Sequence, residues 1–207
     1  MSAVSGILLA AGESRRMAGI NKLMLPVDGQ PLLRRTMLTL QASRLTELVV
    51  VLGHEMEKAK TALAGLDVRT VYNADYRAGQ MSSVHCGLSA LVQPCDGVMI
   101  CLTDQPLLTT QDIDALIELY VRSSGAIVVP TYQERRGNPI VLAAAHRERI
   151  LADGRNLGCK KLIENHPELV TTAVMDNDHF IFDLDTPEDI ERLNVRLAEP
   201  PMWTAVS

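Results

Sequence analysis

Arg15, Arg16 and Lys22 stand in a basic loop that opens where the apolar run Val4–Leu9 gives way to Ala10-Ala11-Gly12. A buried strand that stops at two alanines and a glycine leaves backbone N–H groups uncovered by side chains, and such groups line anion-binding nests. The three cations beside them would supply charge for phosphates. Lys22 follows Asn21 and precedes the apolar Leu23-Met24-Leu25, so its ammonium is held at a fixed distance from the loop. There it would neutralise charge building on a transferring phosphoryl group. The same residues suit an ordinary strand-to-helix turn with solvated arginines, and a short glycine motif alone does not decide between the two.

Two acidic stretches lie far downstream. Asp104, in Leu102-Thr103-Asp104-Gln105-Pro106, emerges at the carboxyl end of the apolar run Gly97–Leu102. Ligands of open α/β sheets bind outside those strand ends, and a carboxylate there is a hard donor for magnesium beside phosphates, with water completing the octahedron. An aspartate before proline also stabilises its own turn. In Asp183-Leu184-Asp185-Thr186-Pro187, strand alternation points Asp183 and Asp185 the same way, and the helix start that follows fixes Asp185 near the sheet edge. Helix capping is the plainer use of this pair.

Tyr76-Arg77-Ala78-Gly79-Gln80-Met81-Ser82-Ser83 is a glycine loop running into a helix, able to bond a base or ribose or merely to cap. Gly137-Asn138-Pro139 and Asn156-Leu157-Gly158-Cys159-Lys160-Lys161 are polar and turn-like; the second would receive an acidic second substrate, although each also reads as a plain loop. The five histidines have no spaced partner for a metal, and no G-x-S-x-G or Cys–His arrangement supports a covalent intermediate.

The elements that must position these residues follow from an alternation of apolar and amphipathic segments, the pattern of β-α units. With 47% apolar residues but two Phe, four Tyr and one Trp, the core is aliphatic, which suits a mostly parallel sheet covered by helices. Strands are predicted at Val4–Leu9, Leu48–Leu52, Val68–Tyr72, Gly97–Leu102 and Ala126–Val129. Helices are predicted from Pro31 to about Ser43, at Glu55–Leu63, at Ser82–Leu91 with Ser82 as its cap, and after a Thr109–Asp112 capping box. Beyond residue 130 the pattern becomes irregular. It reads as a hairpin or loop pair over Tyr132–Leu142, short helices at Ala144–Leu151 and Cys159–Glu164, strands at Val170–Met175 and Phe180–Phe182, and a helix opening at Thr186-Pro187. The expectation is a single-domain α/β protein, a Rossmann-like sheet with helices on both faces over residues 1–198 and a loose tail over 199–207.

A net charge of −5 argues against a nucleic-acid surface. No apolar run approaches the roughly 20 residues of a membrane helix, and no secretory leader is recognisable. Cys86, Cys95, Cys101 and Cys159 form no C-x-x-C pair and read as reduced, buried thiols of a cytoplasmic protein.

Taken in order, Leu8-Leu9-Ala10-Ala11-Gly12 with Arg16-Met17 and Lys22, Gly79-Gln80-Met81-Ser82-Ser83, Leu102–Pro106, Gly137-Asn138-Pro139 and Asp183–Asp189 resemble the molybdopterin nucleotidyltransferases over residues 4–195. Within them the chain looks like the molybdenum cofactor cytidylyltransferase group. The resemblance implies a nucleotide-diphospho-sugar transferase-like fold. It also implies transfer of CMP from CTP to the phosphate of molybdopterin, with magnesium on Asp104 and Asp185 and release of pyrophosphate. It would place Leu9, Ala10, Ala11, Gly12, Arg15, Arg16, Lys22, Gly79, Ser82, Ser83 and Asp104 on the nucleotide. Lys22, Arg16 and Asp104 would be catalytic, and Gln105, Asn138, Asn156 and Lys160 would face the acceptor. A molybdenum hydroxylase or its insertion chaperone would be the protein partner. Ala-Ala-Gly resembles cytidine-using members, where guanylyltransferase relatives typically read Ala-Gly-Gly. Two departures stand out: the Arg16–Lys22 spacing is one residue longer than the commonest form, and a block often reading Gly-Asp-x-Gly-Ala-Arg is here Gly154-Arg155-Asn156-Leu157-Gly158-Cys159-Lys160. A guanylyltransferase, a sugar-phosphate or methylerythritol-phosphate nucleotidyltransferase, an oxidoreductase on the same scaffold and a non-catalytic carrier stay open beside it. The oxidoreductase lacks a G-x-G-x-x-G after a strand.

Overall fold

Strand β1 (Val4–Ala10) is buried along nearly its whole length and pairs in parallel on both sides, with β4 (Leu48–Leu52) and β6 (Gly97–Leu102). Runs of Val, Ile and Leu with no polar alternation make such two-face burial favourable. The structure is a computed structural model that describes residues 2–17, 19–123, 127–152 and 163–198. The other strands are β5 (Arg69–Tyr72), β7 (Ile127–Tyr132), β8 (Arg135–Arg136), β9 (Ile140–Ala143) and β10 (Val170–Val174). They complete an eight-stranded sheet in the order β10-β7-β9-β6-β1-β4-β5, with β8 hydrogen-bonded to β7. Only β8 and β9 run antiparallel to their neighbours.

Two cores lie on opposite faces. On one, α1 (Leu32–Gln41), α2 (Met56–Ala62) and α4 (Thr110–Arg122) set Leu33, Met37, Ala59, Ile113 and Leu116 against Leu8, Val50 and Met99. On the other, α3 (Gln80–Ala90) and α5 (Ala145–Ala152) set Val84, Leu88 and Ile150 against Ile7, Val51 and Ile100. Each fully buried Leu or Ile contributes about 1.5–3 kcal/mol relative to exposure. The described residues thus form one α/β domain, the last helix among them, α6 (Pro187–Ala198), closing beneath a third small apolar cluster around Phe182 and Leu184.

Several expectations change. Ser82 does not cap α3: the helix starts two residues earlier, with Gly79 (φ 106°) in the cap position, because only glycine takes that backbone angle without strain. Pro31 precedes α1 rather than opening it, since Pro26–Val27 (β2) and Gln30–Pro31 (β3) form a small hairpin across Asp28-Gly29, both at positive φ. The hairpin expected within Tyr132–Leu142 is β7–β8, and the chain then returns as β9 between β7 and β6. Phe180–Phe182 is not a strand; His179–Ile181 is a single 3-10 turn whose wholly buried Phe180 gives its carbonyl to Asn138 N–H (2.9 Å) and Gln105 Nε2 (2.8 Å). Residues 182–185 are irregular, so alternation does not set the directions of Asp183 and Asp185. Cys101 is buried, but Cys86 and Cys95 are only half-buried. The helix expected at Cys159–Glu164 lies mostly outside the described residues, as do Cys159 and the tail 199–207.

Candidate active site

Three segments converge on the carboxyl ends of β1 and β6. Thr103, one residue past β6, donates its hydroxyl to the Leu9 carbonyl (2.8 Å) and locks the two strand ends together. On the other side, a Cβ on Gly53 would stand 2.7 Å from Ala11 Cβ, so glycine there allows the chain after β4 to press against the loop, where His54 N–H meets the Ala11 carbonyl (3.2 Å). Ser14 takes a left-handed turn (φ 51°), and its hydroxyl accepts the Lys22 N–H (3.1 Å). Asn21 then caps a 3-10 turn at Lys22–Met24 by accepting the Leu23 N–H (3.0 Å), while its amide donates to Glu55 (2.6 Å). Lys22 is therefore clamped from both sides of its backbone.

Its ammonium donates to Asp104 Oδ2 (2.6 Å) and to Asp185 Oδ1 (3.2 Å), with only 17% of the lysine side chain exposed. Asp185 is carried in by the start of α6: Asp189 accepts from the N–H groups of Asp185 (3.1 Å) and Thr186 (2.9 Å), and Leu184 N–H bonds the Asp104 carbonyl (2.7 Å). Arg16 reaches the other oxygen of Asp185 (2.8 Å) while staying largely in solvent. Burial by itself would lower the pKa of Lys22, but the facing Asp104 and Asp185 carboxylates outweigh it and hold the group above the ordinary lysine value. Asp183 is pushed up to about 6, first by the protein packed around its carboxyl and then by repulsion from Asp104 and Asp185, against the pull of Lys22 and Gln105.

These groups open onto a cleft of about 370 Å³. Of the residues singled out from sequence, Leu9, Ala10, Ala11, Gly12, Arg15, Arg16, Lys22, Gly79, Ser83, Asp104 and Asp185 line it. Ser82 stands behind the wall, where its hydroxyl donates to the Asp75 and Gly79 carbonyls (2.9 and 2.8 Å) and accepts from Asn73 (2.8 Å). Gln105 is 2% exposed and turned toward Phe180, away from the opening. Asn138 lines a neighbouring cavity instead, and Asn156 and Lys160 lie outside the described residues. Tyr76, Arg77 and Gln80, from the glycine loop read as able to bond a base or ribose, also line the rim, as does Glu13, which had no predicted role. Glu13 holds Arg15 (2.5 Å) and Arg77 (3.5 Å), and the Arg77 guanidinium lies over the Tyr76 ring.

The donor set suits a hard divalent cation. Asp104 Oδ1 is buried with no hydrogen-bond partner, an arrangement that is costly unless a cation or water meets it. Among the described residues no group of three or more His, Cys, Asp or Glu forms a protein-only metal cage. Two carboxylates shared with substrate phosphates are the usual setting for such an ion.

A recess lined by Arg15, Arg16, Lys22, Arg77 and paired acids at the end of a parallel sheet suits a polyphosphate, and the class it defines is the nucleotidyltransferase type of α/β domain. Comparison with known proteins narrows this. Residues 6–170 match the MobA-like NTP transferase domain, and the chain belongs to that family. Among curated relatives, nicotine blue oxidoreductase of Paenarthrobacter nicotinovorans is 30% identical over 92% of this chain and 96% of its own length. A probable molybdenum cofactor guanylyltransferase of Natronomonas pharaonis is 26% identical over 94% of this chain and 98% of its own. Of solved structures, Rv0371c of Mycobacterium tuberculosis superposes with a TM-score of 0.80 at 23% identity, covering 93% of this chain and 97% of that one. Its complex with manganese superposes at 0.74 with 20% identity, covering 93% and 98%. At that identity these structures speak to the fold. Among the described residues no helix is long and apolar enough to cross a membrane.

Proposed function

We propose that the protein transfers CMP from CTP to the terminal phosphate of molybdopterin and releases pyrophosphate. The observation that carries this reading is the Lys22 ammonium held between Asp104 (2.6 Å) and Asp185 (3.2 Å) beneath the loop that follows β1. The triphosphate would lie along the loop N–H groups from Ala11 to Arg15, with Arg16 and Lys22 facing its oxygens. Arg15 would leave Glu13 for the phosphates. The acceptor phosphate is already ionised near about pH 7, so one of its oxygens attacks the α-phosphorus in line without a general base. The bond to the bridging oxygen breaks, and pyrophosphate departs with its charge met by Lys22 and Arg16. Asp104 and Asp185 would hold magnesium, which supplies further charge neutralisation on the phosphates.

The cytidine preference rests on Ala11. The Ala10-Ala11-Gly12 form resembles cytidine-using members, where guanylyltransferase relatives read Ala-Gly-Gly, and Ala11 is among the residues that line the cleft. The product would pass to a molybdenum hydroxylase or its insertion chaperone. The test is pyrophosphate release with each of the four triphosphates, with magnesium and molybdopterin present. CTP should be turned over fastest, and no turnover with any triphosphate refutes the reading. The relative named as an oxidoreductase supports a second reading, reduction of a flat pigment on the same scaffold. NADPH consumption without pyrophosphate release would establish that one instead.

A further inference from the structure

Between β10 and α6 only the 3-10 turn at His179–Ile181 is regular, yet this stretch must bring Asp185 within 3.2 Å of Lys22. Two ties from consecutive residues hold it. The Leu184 N–H bonds the Asp104 carbonyl (2.7 Å), and the Gln105 amide donates to the Phe180 carbonyl (2.8 Å). That carbonyl is tightly seated: it also accepts the Asn138 N–H (2.9 Å), and a Cβ on Gly137 would stand 2.3 Å from its oxygen. Gln105 is 2% exposed, and its Oε1 is buried without a hydrogen-bond partner among the described residues. Its amide nitrogen faces the Phe180 carbonyl and the Asp183 carboxylate, so turning the amide over would set oxygen against oxygen. A glutamine kept inside the protein with one acceptor orphaned is held there for its donors.

We propose that Gln105 is a positioning residue for the acid pair: from inside the protein it fixes the angle at which Asp185 meets Asp104 and Lys22, and it makes no contact with substrate. The inference rests on the transferase reading, in which the two acids hold magnesium, and adds a residue that orients one of them. A single hydrogen bond leaves a segment free to pivot, and a second one further along the chain removes that freedom. Here the two ties land on Leu184 and Phe180, while their partners Asp104 and Gln105 are adjacent in the chain. Asp185 follows Leu184 directly. A pivot there would swing its carboxylate away from Lys22 and from the orphaned Asp104 Oδ1. Groups behind a metal's carboxylates typically matter about 10–100-fold in metal affinity or activity. Packing alone does not call for an amide, because a methionine would fill the same space with no N–H to offer.

The experiment uses the intact chain, with manganese and CTP as probes, and compares Gln105→Met with Tyr120→Phe. Tyr120→Phe removes a hydrogen bond to the Asp96 carbonyl (2.7 Å) at the opposite end of β6, and so measures what lost stability alone does. Gln105→Met should keep the fold, because the Phe180 carbonyl retains the Asn138 N–H and the Phe180 ring stays buried. Should it not fold, Gln105→Asn, whose shorter amide falls short of that carbonyl, gives the same readouts. Manganese binding in the presence of CTP, read from loss of the free ion's electron paramagnetic resonance signal, should weaken about tenfold or more. The kcat for pyrophosphate release should fall by about tenfold to a hundredfold, while KM for molybdopterin stays within about twofold. Tyr120→Phe should change neither. Wild-type manganese binding and kcat in the Gln105 variant overturn the inference, as does a deficit equal to that of Tyr120→Phe. A rise in KM for molybdopterin with kcat and manganese binding unchanged also overturns it and makes Gln105 a substrate contact. Weakened manganese binding in the variant, with no pyrophosphate released even by the wild type, would leave the inference standing and overturn the transferase reading.

Discussion

Replacing Lys22 by methionine keeps most of the side-chain volume and removes one charge from between two carboxylates. Lys22 and Asp104 each expose 17% of their side chains and Asp185 exposes 23%, so the bridge is neither a surface pair nor fully desolvated. Surface pairs contribute about 0–1 kcal/mol, and breaking a buried one costs about 3–5 kcal/mol. An intermediate loss of about 1–2 kcal/mol follows. For a domain of this size that lowers the thermal midpoint by roughly 2–8 °C, so the variant should remain folded at room temperature. Its effect on rate should be larger. Losing one preorganised charge at developing phosphate charge costs about 10²–10³ in kcat, and the steady-state rate of pyrophosphate release would read that. A second signature separates catalysis from scaffolding: with the ammonium gone, the two acids repel each other, and magnesium should raise the variant's midpoint more than the wild type's. A variant that retained kcat within threefold while losing several degrees of stability would refute the reasoning and make Lys22 a strut.

Asp112, bonded by His179 (2.8 Å), Asn177 (3.0 Å) and the Thr109 cap, is held at about 2 despite burial that opposes ionisation. A depressed carboxylate adds stability above its unfolded pKa, and that stability is lost as pH falls through the folded value. About 2 kcal/mol should therefore disappear between roughly pH 4 and pH 2, read as a falling urea midpoint that Asp112→Asn flattens. Gly53→Ala would drive a methyl group into Ala11 and should cost about 1–3 kcal/mol, with weaker CTP binding by calorimetry, because it displaces the loop backbone. Ala11→Gly should raise turnover with GTP relative to CTP in the pyrophosphate assay, and an unchanged ratio would detach Ala11 from base choice.

Long, uninterrupted aliphatic runs made β1, β4 and β6 legible, since a strand buried on both faces has few other readings. The basic loop and the two aspartates were legible because each stands where such a strand, or a helix start, must end. Lys22 lies 82 positions from Asp104 and 163 from Asp185, and nothing local announces that they meet; the ordered blocks of the family resemblance brought them together. Where the chain leaves β-α alternation, local pattern carried less. Asp28-Gly29 was a readable hairpin signal that went unused. The return of β9 between β7 and β6 depends on Ile140, Val141 and Leu142 packing against strands distant in sequence, and Phe180 mimics a strand residue although it serves as a single plug between loops. Ser82 suggested a cap by type, but Gly79 had the backbone freedom that the position required.

The bridge from Lys22 to Asp185 also bears on the order of synthesis. A ribosome releases the basic loop early and the second acid only after all the strands of the sheet have been made. A nascent chain shorter than 185 residues therefore carries Lys22 and Arg16 without the carboxylate they share. Proteolytic cleavage ahead of Asp185 would have the same consequence, removing the carboxylate that Lys22 and Arg16 share.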